Sequence, residues 1–275
     1  MRLLTILIIF FSGLSCKSLT ETEKLHQAVS GKWLIIAPEH DLKEGGQMIA
    51  YSHIQDSIIA LSGLKLISLS STGIFQQVDS IYPEGQWGIT TDKVVFVEKG
   101  GQGFDNFSAR FKQYDNGMLQ LVQVVEYDGE KIQLTWNLRK VSGKYVSKLF
   151  DEDKNEWRKK PVQPETEQQM KRRLAIMLGY YSDYYSLVTK ESSFFIPGRV
   201  LLPFKFYSHG IGVNPFDEQT FFASLFFDKE QARQGWLLLK TTFNRLKNNF
   251  PKRNDFLEEY AAFMNMMAER ITEDY

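Results

Sequence analysis

The spacing of apolar residues changes period once along this chain, and that change restricts the fold more than any other feature. Over 31–141 apolar residues recur at every second position in short runs broken by turn residues, the pattern of antiparallel strands. From about Pro164 onward they recur at every third and fourth position, the pattern of amphipathic helices. Period two is clearest over 131–141, where Ile132, Leu134, Trp136 and Leu138 alternate with Gln133, Thr135, Asn137 and Arg139. Such a strand buries one face and wets the other. The runs 107–113, 118–126 and 131–141 are joined by Asp115-Asn116-Gly117 and Asp128-Gly129. Both joints suit tight hairpins, because Gly and Asn tolerate positive φ. Further runs at 64–69, 73–77, 85–90 and 93–97 continue the series. Strands this close together, with no helix between them, predict a small up-and-down barrel or a strongly curved sheet, and closure would remove exposed edges.

Three helices are predicted in the second half. Met170, Leu174, Met177, Leu178, Tyr181, Tyr184, Tyr185 and Val188 form one broad stripe, with Pro164, Glu165 and Glu167 at its start. A second helix opens near Asp228, carries Trp236, Leu239, Phe243 and Leu246, and stops before Pro251, since proline cannot continue it. The third starts near Asn254 or Asp255 and carries Phe256, Tyr260, Phe263, Met264, Met267 and Ile271; matching stripes suggest a small bundle. Before them, 151–160 is a dense mixed-charge run followed by Pro161 and Pro164, which reads as a linker. The segment 194–227 combines many aromatics with Pro197-Gly198, Pro203, Gly210, Gly212 and Asn214-Pro215. It cannot be one helix, and it either fills the seam between domains or offers an aromatic patch to a partner or to a membrane surface. The expected fold class is α+β: an N-terminal antiparallel up-and-down β-barrel followed by a C-terminal mainly α-helical domain. The expected boundaries are 1–15 signal peptide, 16–25 tether, 26–147 barrel, 148–163 linker and 164–275 helical domain.

The first residues are not expected to belong to that fold. Arg2 supplies a positive start and 3–11 an apolar stretch too short to span a bilayer, the layout of an export signal. Ser12-Gly13-Leu14-Ser15-Cys16 follows and resembles the lipobox of bacterial lipoproteins. It departs from that pattern in having Gly13, where Leu is preferred, three places before the cysteine. The resemblance implies cleavage before Cys16 and lipid attachment to it, so that the chain is exported and anchored to a bacterial membrane, with the outer membrane expected and a periplasmic or surface-facing body. Cys16 is the only cysteine, so no internal disulfide can form and stability must come from packing. The aromatic run at 221–227 falls well short of the ~20 apolar residues a spanning helix needs.

The strand half also carries a resemblance. Gly31-Lys32-Trp33, Ser71-Thr72-Gly73-Ile74-Phe75, Gly85-Gln86-Trp87-Gly88-Ile89, Asp92-Lys93-Val94-Val95-Phe96 and Leu138-Arg139-Lys140-Val141 are similar, in order and spacing over 26–142, to the lipocalin-like domain of bacterial lipoproteins. That resemblance implies that Gly31-x-Trp33 closes the narrow end of a barrel, with the Trp33 indole inside and Arg139 laid across it. The stretch between Trp33 and Leu64 is longer than the family pattern. An eight-stranded barrel is just wide enough to be filled by side chains or to hold one small ligand. Inward candidates are Phe75, Trp87, Val95, Phe111, Leu121 and Trp136, of which Phe75, Trp87, Phe111 and Trp136 are the candidate ligand-binding residues.

Few residues of this chain form a pattern that carries chemistry. Formal net charge is zero, whereas a nucleic-acid binder needs a basic excess to meet phosphates. The runs Arg158-Lys159-Lys160 and Lys171-Arg172-Arg173 lie beside Glu and Gln and read as solvated faces. No Gly-x-Ser-x-Gly elbow is present, and Ser208-His209 lacks an acid at a recognisable spacing. The four histidines, His26, His40, His53 and His209, form no i,i+4 or His-x-His pair, so no metal site is expected. Gly100-Gly101-Gln102-Gly103 lacks the Lys-Ser/Thr and the following helix of a phosphate loop. Glu258 and Glu259 read as the outer face of a helix. No catalytic residue and no cofactor are expected. Two functions are: a non-enzymatic module holding a small apolar ligand in the barrel or at the interdomain seam, or a structural or assembly protein of the cell envelope with a filled barrel and an aromatic surface for another envelope protein.

Overall fold

The computed structural model describes residues 19–36, 66–77, 84–90, 93–98, 107–113, 117–127, 130–151, 153–191, 204–207 and 210–273. The expected export signal, Cys16 and the Gly100–Gly103 run lie outside the described residues, as do His40, His53 and Ser208-His209. A short helix α1 (Glu21–Val29) leads directly into β1 (Gly31–Ile36). Seven more strands follow: β2 (Leu66–Leu69), β3 (Ile74–Gln77), β4 (Glu84–Thr90), β5 (Lys93–Glu98), β6 (Phe107–Gln113), β7 (Met118–Tyr127) and β8 (Glu130–Lys140). Each pairs antiparallel with the next in chain order. β1 also pairs with β8, Trp33 opposite Lys140 and Ile36 opposite Asn137, so the ladder closes into a ring.

Alternation assigns the two faces of this ring. Trp33, Ile35, Leu69, Trp87, Val94, Leu119, Leu121 and Leu138 are buried together with Val29 of α1 in one cluster, the interior. Leu34 and Leu66, which are register partners, point the other way and belong to the core of the C-terminal half. This explains why β1 reads Trp-Leu-Ile-Ile rather than alternating: both of its faces are covered, at Trp33 3%, Leu34 0% and Ile35 6% exposure. Polar pairs on the outer face are satisfied across strands, Lys32 Nζ donating to Ser68 Oγ and Gln120 Nε2 to Asn137 Oδ1.

The C-terminal half begins with α2 (Lys144–Leu149) and a 3-10 segment (Asp153–Arg158), then the long helix α3 (Glu167–Lys190). A strand pair, β9 (Phe204–Tyr207) and β10 (Gly210–Val213), precedes α4 (Phe221–Ser224), α5 (Lys229–Leu246) and α6 (Phe256–Ile271). The helices start where side-chain oxygens can serve the free amides: Thr166 with Gln169 as a capping box on α3, Asp228 on α5, Asp255 on α6. α3 packs most extensively against α6, burying Tyr184, Tyr185, Phe263, Met264 and Met267 at 0% exposure. A fully buried apolar side chain of this size contributes roughly 1.5–3 kcal/mol.

The fold class expected from the sequence is therefore corrected. The molecule is a mixed α+β body, not a self-contained lipocalin-like barrel followed by a separate helical domain. Two strands of the ring, β2 and β3, have only four residues each. A second, two-stranded sheet lies within the C-terminal half. The core of that half takes in Leu34 and Leu66 from the ring, and Lys32 Nζ stands 5.3 Å over the Phe150 ring. The linker expected at 148–163 is instead packed, with Leu149 and Trp157 at 0% and 1% exposure. Trp157 packs against Tyr180 and Tyr181 of α3, a tertiary contact that charge density along the chain does not reveal. The tether expected at 16–25 contains the first turn of α1. Within 194–227 the aromatics Phe204, Phe222 and Phe226 are buried in the core, while Phe216, beside Trp236, and Phe227 are half-buried.

Candidate functional site

The end of the ring where β1 begins is closed by α1. Thr20 caps that helix: its hydroxyl accepts from the Glu23 amide at 3.2 Å, and Glu23 Oε2 accepts from the Thr20 amide at 2.7 Å. The backbone amide of Thr20, and then its hydroxyl, hold the Glu23 carboxyl below the usual carboxylate range. Two indoles fasten the helix to the ring. Trp33 Nε1 donates to the Val29 carbonyl at 2.8 Å, and His26 stacks on Trp87 at 4.3 Å between ring centroids and 12° between planes. Trp87 Nε1 in turn donates to the Ser70 carbonyl at 3.0 Å. Both indole N–H groups are thus satisfied, which lets large aromatics sit in an apolar interior at little polar cost.

Trp33 is inside the ring, but the cation over its indole is Lys140, with Nζ 5.7 Å from the ring centroid. Arg139, expected there by resemblance, sits opposite Leu34 on the outer face and places Nε 3.5 Å from Oε2 of Glu191, just past the end of α3. Adjacent residues of a strand face opposite sides, so a cation over Trp33 must come from the residue in register with it. Gly31 is needed at this corner. Its φ is +154°, and an added Cβ would meet Lys140 Cε at 3.2 Å, in the space the lysine stem uses to cross the indole.

Trp87, a candidate ligand-binding residue, is 4% exposed and occupied by α1 and the Ser70 turn. Phe75, Phe111 and Trp136 are placed by register only, Phe75 opposite Leu69 and both Phe111 and Trp136 opposite Leu121. Their side chains lie outside what is described. A second feature is an open groove of about 280 Å³ between the start of α3, the middle of α5 and the end of α6. Met170, Leu238 and Ile271 supply its apolar wall and Lys171, Gln234 and Thr241 its polar one. Its volume is at the small end of ligand pockets, and the buried Lys171 is paired with Glu167 at 2.9 Å.

Elsewhere the buried polar groups tie elements together. Arg173 makes a bidentate pair with Glu165, Nε lying 2.8 Å from Oε1. It also donates to the Leu225 carbonyl at 2.7 Å and the Trp157 carbonyl at 3.3 Å, and covers the Phe226 ring at 4.7 Å. Burial pushes the Tyr185 phenol well above its ordinary value, with Tyr184 and Tyr260 adding to the effect; burial, then Glu259, raises Tyr260 as well. These phenols stay neutral at physiological pH. Among the described residues no group of three or more His, Cys, Asp or Glu is placed to hold a metal ion, and no helix is long and apolar enough to cross a membrane.

The features that pattern reading passed over are α1, Lys140 and the Arg173–Glu165 pair. For α1 a signal existed: Thr20-x-x-Glu23 is a capping box, but it lies within the segment expected to be a tether. Lys140 needed the register of β1 on β8, and Arg173 stood within a basic run that looked solvated. The chain matches no family model, and no curated protein or solved structure is significantly similar to it.

Proposed function

We propose that this chain is a lipid-tethered, non-catalytic protein of a bacterial envelope, acting as a structural or assembly component rather than as a carrier of small apolar molecules. The reading is supported by the close packing of the described residues at both places where a carried ligand was expected. At the closed end of the ring, Trp33, Leu69, Trp87, Val94, Leu119 and Leu138 are each at most 4% exposed. At the seam, Leu34 and Leu66 pack directly into the core of the helices. The tether rests on the lipobox-like run ending in Cys16; two or more acyl chains anchor a protein stably where one does so marginally. Two measurements test the proposal. Labelled palmitate should enter the full-length protein and be lost in Cys16→Ser. Native mass spectrometry of a soluble form lacking 1–16 should give a clean apo mass, and a co-purifying lipid-sized mass would overturn the scaffold reading.

The groove between α3, α5 and α6 favours a second reading, binding of a small amphipathic molecule beside Lys171. It predicts a ligand-dependent mass shift that Leu238→Arg removes.

A further inference from the structure

We infer that the α1-closed end of the ring is the face that docks on the membrane surface, with lipid headgroups as its partner. The inference rests on the proposed acylation of Cys16 and adds an orientation to it. α1 cannot swing away from the ring: Val29 is fully buried, its carbonyl receives the Trp33 indole N–H at 2.8 Å, and His26 is stacked on Trp87. The chain enters the helix at the Thr20 cap. From an acylated Cys16 to Thr20 there are only four residue steps, spanning at most about 14 Å when fully extended.

The ring is taller than that reach. β8 has 11 residues and runs toward the α1 end, a length of about 34 Å. The last residues of β2, β4 and β6 share the α1 end with the exit of β8, because successive strands are antiparallel. The end of β7 and the start of β8, Tyr127 opposite Glu130, lie at the opposite end. A leash of about 14 Å cannot bring that opposite end down to the headgroups while α1 points away from them. Among the described residues, the exposed charges at this end include Lys24, Lys93, Lys140 and, just past β8, Lys144 against Glu21 and Glu23, with Lys24 paired to Glu21 at 2.7 Å. Juxtamembrane lysines are drawn to anionic lipids.

The test uses the full-length acylated protein in phosphatidylcholine/phosphatidylglycerol vesicles carrying a nitroxide on the headgroup. Acylation consumes the only native cysteine, so single reporters can be introduced by Ser71→Cys in the exposed β2–β3 turn and by Glu130→Cys at the start of β8. A fluorophore at 71 is expected to be quenched severalfold more strongly than one at 130. A Gly/Ser spacer of about 20 residues after Ser18, with an r.m.s. span of about 25 Å, is expected to erase the difference. Equal or reversed quenching in protein that floats with the vesicles overturns the orientation alone. Protein that neither floats nor carries the acyl mass overturns the tether and the orientation with it. Lys93→Cys, in the β4–β5 turn region, supplies a second reporter at the same end should Ser71→Cys lower the melting temperature.

Discussion

Gly235→Ala sets two effects of known size against each other. In the middle of a helix alanine is favoured over glycine by roughly 0.5–1 kcal/mol, so a substitution in α5 judged on propensity alone would stabilise. The surroundings reverse the sign. A Cβ at Gly235 would lie 2.4 Å from both Cε1 and Cζ of Phe226 and 3.4 Å from Met170 Sδ. Carbon contacts relax at about 3.5–4.0 Å, so the ring must move by more than 1 Å. Phe226 has no room to do so: it is 1% exposed, edge-on to Phe222 at 5.0 Å and covered by Arg173 at 4.7 Å. Overpacking a filled core costs roughly 1–3 kcal/mol, and displacing the guanidinium from the ring forfeits about 0.5–2 kcal/mol more. The net expectation is a loss of about 2 kcal/mol, read as a lower urea midpoint at unchanged m. In thermal melts that is a fall of roughly 4–8 °C for a chain of this size. In a Phe226→Ala background the clash is gone, and Gly235→Ala should become neutral or mildly stabilising. The cycle isolates the coupling between the two sites. A Gly235→Ala protein as stable as the parent, with Phe226 intact, would refute the packing described for this seam.

Three other outcomes follow from named contacts. Trp33→Phe removes the indole N–H and strands the Val29 carbonyl in an apolar interior, a loss of roughly 1–3 kcal/mol; hydrogen exchange should show α1 losing protection before the strands, and unchanged protection of α1 would contradict its fastening through Trp33. Glu165→Gln leaves the largely buried Arg173 without its counter-charge and should cost about 3 kcal/mol, the low end for a broken buried pair, because the Leu225 and Trp157 carbonyls still accept from it; a loss below about 1 kcal/mol would mean that those carbonyls suffice. Glu23 has a folded pKa below its unfolded one, so the cap's contribution is fully present above the ordinary carboxylate pKa and is lost as pH falls through the folded value; amide exchange in α1 should therefore quicken in that acidic window, and Glu23→Gln should abolish the pH step, whereas a step that survives the substitution would assign it to another group.

Residue spacing alone determined where the main elements lie. Period two over 107–113, 118–126 and 131–141 and the helical stripes from Met170, Trp236 and Phe256 correspond, to within a residue or so at the strand ends, to β6, β7, β8, α3, α5 and α6, because burial of one face writes its own period into a sequence. The helix starts at Asp228 and Asp255 are local too, each cap closing within three residues, whereas Thr166, the cap of α3, is not singled out by the stripe. What tertiary structure decided depends on partners far apart in the chain. The ring closes only because β1 meets β8 more than a hundred residues later, and that register, not the identity of the basic residue, puts Lys140 rather than Arg139 over Trp33. The 148–163 segment looks like a linker until Trp157 finds Tyr180 and Tyr181. Arg173 looks solvated until Glu165, Leu225 and Phe226 surround it. A one-dimensional pattern records which face of an element is apolar; it does not record which other face covers it, and the shared core between ring and helices is made of that second fact.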